Sequence, residues 1–175
     1  MTSNKHLKLK IVGLIGQSGS GKTGFIINAI KMLRQNLNFK TAVIKNIHEH
    51  QIDKKGKDSF KFIEAGANYA ITRNIYNENT IFIKKEVKLP QLIDWISAGP
   101  FKIDLIFTEG FRTLDYPTIL CVKELDEIES QLTPNVKMIS GLICGKKEIA
   151  DYILNIPIIN IERDFQKFLS IFNIK

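Results

Sequence analysis

The sequence predicts an α/β fold: a mostly parallel twisted sheet flanked by helices on both faces, with a β-hairpin insertion. Three observations lead there. Short apolar runs of strand length alternate with stretches whose apolar residues recur at helical spacing, the order that builds right-handed strand–helix–strand crossovers. Between the first strand and the first helix stands IGQSGSGKTGF, residues 15–25. Residues 69–75 and 80–87 read as two strands joined across Asn77-Glu78-Asn79, which is a hairpin pattern.

Residues 9–15 are almost continuously apolar, as in a strand buried on both faces. Ile26, Ile27, Ile30, Leu33 and Leu37 predict a helix over 22–36. The turn between them, Gly16-x-x-x-x-Gly21-Lys22-Thr23, matches the phosphate-loop pattern in the strand–turn–helix context that gives the pattern meaning. The fold class is therefore that of a phosphate-loop NTPase. Gly16, Gly19 and Gly21 let backbone N–H groups turn toward phosphate oxygens, and Gln17, Ser18 and Ser20 complete the cradle. The helix adds the positive end of its dipole. Lys22 reaches the β- and γ-phosphates as a point charge, and the Thr23 hydroxyl is a Mg²⁺ ligand. Gly24 stands inside the helix at a cost of ~1 kcal/mol relative to alanine, for close packing or for loop mobility.

A second strand is predicted over 40–45, then a polar loop over 46–56 and a short helix over 57–64 closed at Gly66. After the hairpin, Pro90 fits the start of a helix over 92–97, which Gly99-Pro100 ends. Buried strands follow at 103–108, 119–122 and 136–143, then a helix near 146–154, a short strand at 157–161 and a C-terminal helix. The 175 residues fit a single nucleotide-binding domain spanning 1–175.

With 44% hydrophobic and 25% charged residues, the composition is that of a globular protein. No apolar run approaches the ~20 residues of a membrane span, and the N-terminal MTSNKHLKLK lacks the apolar core of a signal peptide, so the cytoplasm is the expected compartment. Cys121 and Cys144 lie in apolar runs without a C-x-x-C, as small buried hydrophobes in a reducing compartment do. His48-Glu49-His50 is the one histidine cluster, a metal site or a plain surface loop. The net charge of +7 comes from scattered lysines, which attract anions such as nucleotides. It carries no aromatic-interleaved stripe and no helix-turn-helix, so nucleic acid is not an expected partner.

Ligands of such sheets gather beyond the C-terminal ends of the strands. The strand at 103–108 delivers Glu109-Gly110-Phe111-Arg112 to that edge, beside the phosphate loop if the strands are neighbours. Glu109 is the candidate to hold Mg²⁺ or to position a hydrolytic water; a turn carboxylate is the alternative. Asp104, at the opposite strand end, is discounted. The loop at 46–59 contributes Asp53, Lys57, Asp58 and Ser59, of which Asp53 and Asp58 are candidate catalytic carboxylates. Asp58-Ser59 also reads as the cap of the short helix, the preferred reading for Ser59.

The chain resembles the MobB family, accessory GTP-binding proteins of molybdenum cofactor biosynthesis. The resemblance rests on GQSGSGKT, on GKDSFKFIEAGA at 56–67 and on TEGFR at 108–112 in that order, with Ile44-Lys45, His48 and Ile52-Asp53 matching a histidine-rich stretch that ends in an acidic residue. It covers roughly residues 9–122. It implies a homodimer that binds GTP with Mg²⁺, hydrolyses it weakly, and assists the MobA-like guanylyltransferase that attaches GMP to molybdopterin. Molybdopterin itself is a further implied partner. Gln17 stands where partitioning-type ATPases carry a second lysine, and Thr118-Ile119-Leu120 departs from the family's usual lysine and acidic alternation. The chain has no N-K-x-D, so guanine preference rests on the resemblance. Gly145-Lys146-Lys147 is a candidate base-contacting loop. The competing readings are a small phosphoryl-transferring kinase and a regulatory nucleotide switch.

Overall fold

The computed structural model of the chain describes residues 9–146 and 148–175. These residues form two compact units, one from the residues up to Asn46 together with Trp95–Lys175, the other Ile47–Asp94.

The larger unit is built on β1 (Lys10–Ile15), α1 (Lys22–Leu37), β2 (Thr41–Lys45), β5 (Leu105–Glu109), β6 (Thr118–Cys121) and β7 (Val136–Ser140). The five strands of its main sheet are all parallel, in the order β2-β5-β1-β6-β7. This places the strand that feeds the phosphate loop at the centre, with β5 and β6 on either side. Alternate residues of the strands enter two cores, as the two-residue period of a strand requires. Val12, Leu14, Leu105, Phe107, Ile119 and Cys121 pack with Phe25, Ala29 and Leu33 of α1 and with the C-terminal helix α5 (Phe165–Ile171). Ile15, Leu120, Val122 and Ile139 pack on the other face with Ile128 of α4 (Glu127–Gln131) and with the 3₁₀ turn Leu142–Gly145. Helices therefore cover both faces. Phe168, fully buried, gathers Phe25 and Phe172 at ring-centroid separations of 5.9 and 5.3 Å. No helix among the described residues is long and apolar enough to cross a membrane.

The smaller unit holds α2 (Asp58–Glu64) and the hairpin of β3 (Ala70–Arg73) and β4 (Asn79–Phe82), while α3 (Leu89–Ser97) carries the chain from one unit into the other. The hairpin pairs Ile71 with Ile81 and Thr72 with Thr80. Its loop is organised by Asn74, whose Oδ1 accepts from the backbone N–H of Tyr76 and Glu78 at 2.9 and 3.0 Å. β3 ends at Arg73 rather than 75 because this Asx-type turn begins at Asn74, and β4 ends at Phe82 rather than 87.

The helix expected near 146–154 does not form. Tyr152–Ile153 and Ile156–Pro157 pair as the antiparallel strands β8 and β9, and Leu154 and Asn155 both turn at positive φ (51° and 62°). That is a two-residue hairpin turn, in which asparagine is at home. Ile149, Ile153, Ile156 and Ile158, in and around this hairpin, are half-buried and pack against the core. Ile158 adds a parallel bridge to Ile139 at the start of the expected 157–161 strand.

Candidate functional site

The loop after β1 owes its path to two glycines. Gly16 has φ +142°, and a Cβ there would fall 2.1 Å from the Cys121 carbonyl oxygen. The loop thus runs too close to the end of β6 for any side chain. Gly21, at φ +94°, is the N-cap of α1 and offers no side-chain cap, so the first-turn N–H groups of the helix keep their capacity for an anion. Ser20 is fully buried, and its Oγ has no hydrogen-bond partner. Lys22 folds back over the loop and donates to the carbonyl oxygens of Gly16 at 3.0 Å and Gln17 at 2.7 Å. Burial lowers its pKa; the charge of Glu109 opposes that shift, while Lys45 and Arg112 add to it.

Two contributors come from distant sequence. Gly141, after β7, has φ +99°, and a Cβ there would lie 2.3 Å from the Ser20 carbonyl oxygen; the next residue, Leu142, donates its N–H to that same oxygen at 3.1 Å. Segment 141–142 is therefore a buttress under the phosphate loop. Lys123, after β6, lies along Gly19, with its Nζ 3.2 Å from where a Gly19 Cβ would stand. Neither residue carries a motif by which the sequence could flag it.

Glu109 lands where the strand-end rule sends it. β5 is hydrogen-bonded to β1 with Leu14 opposite Glu109, and the Gly110 N–H donates to the Leu14 carbonyl at 3.0 Å. Its carboxylate is buried and pairs with Lys45 at 3.1 Å. Arg112 Nη2 donates to Gln131 Oε1 at 3.1 Å, which holds this arginine to α4. Asp104, at the far end of β5, accepts the Lys40 N–H at 2.8 Å and fixes the entry to β2. Its role is structural.

The sheet edge thus brings together Gly16–Thr23, Glu109, Lys45 and Arg112. Asp53 and Asp58 belong to the smaller unit. There Ser59, buried, donates its hydroxyl to Asp53 Oδ1 at 3.0 Å, and exposed Asp58 pairs with Lys61 at 3.2 Å. The N-cap of α2 is Lys57, in extended conformation, without a side-chain cap. This corrects the cap reading of Ser59, whose hydroxyl is committed to Asp53. His48 and His50 are exposed, and among the described residues no group of three or more His, Cys, Asp or Glu could hold a metal ion. Cys121 and Cys144 are unbridged and buried; burial pushes the Cys121 thiol up to about 12. In the segment 145–147, Lys146 pairs with Glu124, and Lys147 lies outside the described residues.

This donor set suits a nucleoside phosphate: an uncapped helix start, glycine-freed loop amides, an ammonium over the loop and a buried hydroxyl without a partner. Comparison with known proteins gives the same direction. The family profile described as molybdopterin guanine dinucleotide synthesis protein B matches residues 11–144. The chain is 32% identical over 130 residues to a molybdopterin-guanine dinucleotide biosynthesis adapter protein of Haemophilus influenzae, covering 70% of this chain and 71% of that one. It is 30% identical over 123 residues to a putative adapter protein of the same description from Methanocaldococcus jannaschii, covering 67% of this chain and 49% of that one. In fold it is similar to the crystal structure of Bacillus subtilis MobB, with TM-score 0.73 and 23% identity over 95% of this chain and 99% of that one. The Bacillus stearothermophilus MobB homologue gives TM-score 0.63 and 15% identity over 93% and 95%.

Proposed function

Since the chain belongs to the MobB family, molybdopterin guanine dinucleotide synthesis protein B, we propose that it is a GTP-binding adapter of molybdenum cofactor biosynthesis with slow GTPase activity. The observation that carries the reading is the glycine-shaped loop at the uncapped start of α1, with Lys22 folded over it and Glu109 on the adjoining strand. Its partners are the MobA-like guanylyltransferase that attaches GMP and the molybdopterin that receives it, in the cytoplasm. Two buried, unbridged cysteines suit that compartment.

The loop amides and Lys22 grip the β- and γ-phosphates. Thr23 and Glu109 would hold Mg²⁺, which neutralises phosphate charge when bound. Glu109 also positions the attacking water; Asp53 and Asp58, the other candidate carboxylates, belong to the smaller unit. Lys45 keeps the Glu109 carboxylate paired and oriented. An arginine on the transferring phosphoryl is worth about 10³–10⁵ in rate. Arg112 is held by Gln131 instead, so the isolated protein should hydrolyse GTP over minutes or longer. Glu109→Gln should slow that hydrolysis further and leave the GTP dissociation constant within about tenfold, because the loop carries the grip. Single-turnover hydrolysis and calorimetry on both proteins test this. Rapid turnover, or phosphorylation of a small acceptor, would replace the adapter by a kinase.

The homodimer is assigned to the hairpin. Ile71, Ile75 and Tyr76 are 67%, 87% and 78% exposed in the chain, more apolar surface than a free hairpin tolerates. A second copy covers it in a two-fold arrangement. Sedimentation at tens of micromolar should give a dimer, and Ile71→Lys with Ile75→Lys should give a monomer; a monomeric wild type removes the idea.

A further inference from the structure

A cleft of about 200 Å³ opens beside the phosphate loop. α1 forms one side of it through Gly24, Phe25 and Asn28; Leu142, from the buttress, and Ile161 with Glu162 form the other. Glu162 is exposed but held from two directions. Asn28 Nδ2 donates to its Oε1 at 3.1 Å, and Asn160 Oδ1 accepts its backbone N–H at 3.0 Å. Asn160 also receives the N–H groups of Arg163 and Asp164 on its own carbonyl at 3.2 and 2.8 Å, which fixes the turn that presents the carboxylate. The larger cavity of about 420 Å³, between the β8–β9 hairpin and α5, is lined by no residue of the phosphate loop.

Gly24 gives the second observation. It interrupts a helix where alanine would be more favourable, yet a Cβ there would meet nothing within 4 Å. Among the described residues, no packing requires glycine at this position. Open space at the cleft wall is what it provides.

We infer that this cleft is the base subsite for the nucleotide held by the phosphate loop, and that Glu162 selects guanine. The inference rests on the phosphate-loop reading and names its specificity. Guanine presents two adjacent N–H donors, at N1 and at the exocyclic amine, and a carboxylate offers two acceptors to match them. Adenine presents a lone pair at N1 beside its amino group, so one carboxylate oxygen would face an acceptor. Leu142, 57% exposed, supplies apolar surface for a ring face, above buried Phe25 and Ile161 at the cleft wall. The specificity device is thus a carboxylate on the turn after β9, braced by an asparagine of α1.

Calorimetric titration of the 175-residue chain with GTP, ATP and XTP, each with Mg²⁺, tests the assignment on the wild type, Glu162→Gln and Gly24→Ala. Wild type should prefer GTP over ATP at least about tenfold. Glu162→Gln offers one donor and one acceptor, which matches the carbonyl and N–H of xanthine. It should lose at least about tenfold in GTP affinity and bind XTP more tightly than GTP. Gly24→Ala should bind GTP more weakly while its thermal midpoint rises, a combination that a folding defect cannot produce. Equal wild-type affinity for GTP and ATP, an unchanged GTP-over-XTP order in Glu162→Gln, or unchanged GTP affinity in Gly24→Ala overturns the subsite while leaving the phosphate loop intact. Absence of all triphosphate binding by the wild type overturns the phosphate-loop reading and this inference with it.

Discussion

Lys22→Ala is expected to lower the affinity for nucleoside triphosphates at least about tenfold. A charge-assisted hydrogen bond contributes ~1.5–3 kcal/mol, and about 1.4 kcal/mol is a factor of ten in affinity. The ammonium already lies over the loop, on the carbonyl oxygens of Gly16 and Gln17. A bound triphosphate therefore exchanges neutral acceptors for charged ones, and the gain belongs to the ligand-bound state. The loss should be larger for triphosphate than for monophosphate, because the lysine addresses the β- and γ-groups. Calorimetry with both ligands on a variant of unchanged thermal midpoint is the check. Equal affinities in variant and wild type would remove the phosphate loop from service.

The second large effect is predicted outside the motif. Gly141 has φ 99° and ψ −155°, a region open essentially to glycine alone, where another residue costs about 1–3 kcal/mol. A Cβ would also stand 2.3 Å from the Ser20 carbonyl oxygen and 2.9 Å from the Val122 N and O. These are backbone atoms that cannot rotate away, and overpacking of this kind costs a further ~1–3 kcal/mol. Gly141→Ala should therefore destabilise the chain by several kcal/mol in denaturant unfolding and, by pushing on Ser20, weaken triphosphate binding in whatever remains folded. Gly145→Ala, four residues on, is the internal control: its Cβ would meet nothing within 4 Å, so its stability should stay within about 0.5 kcal/mol of wild type. If the two alanine variants unfold together, the buttress is not one.

What could be read from the sequence, and what could not, follows from the range of the interactions. The phosphate loop was legible because its chemistry is local: eight consecutive residues, a strand before and a helix after. Glu109 was legible for a related reason, since the end of an apolar strand can be located without knowing its neighbours. That β5 is the neighbour of β1, which sets Glu109 beside the loop, was decided by parallel pairing between residues far apart in the chain. The misread segments failed where a local signal had two solutions. Ile149 and Ile153 stand four apart, as on a helix, but the positive φ of Leu154 and Asn155 lets a hairpin send both to the same core. The five-residue α4 leaves no periodic signal in the sequence because it buries only Ile128 and Gln131. Ser59 looked like a cap because helix starts favour serine, whereas its hydroxyl found Asp53.

By itself, then, the sequence determined an α/β protein with a phosphate-loop motif at residues 16–23, and it placed a carboxylate at the same sheet edge. Tertiary structure alone decided which distant residues meet around that loop. Gly141 supports the loop by having no side chain, Lys123 lies along Gly19, and Asn28 meets Glu162 across 134 residues of chain. None of these could be inferred from spacing. Each depends on two backbones being brought together by strands whose partners are chosen through burial of the sheet as a whole, and that choice is a property of the packed core.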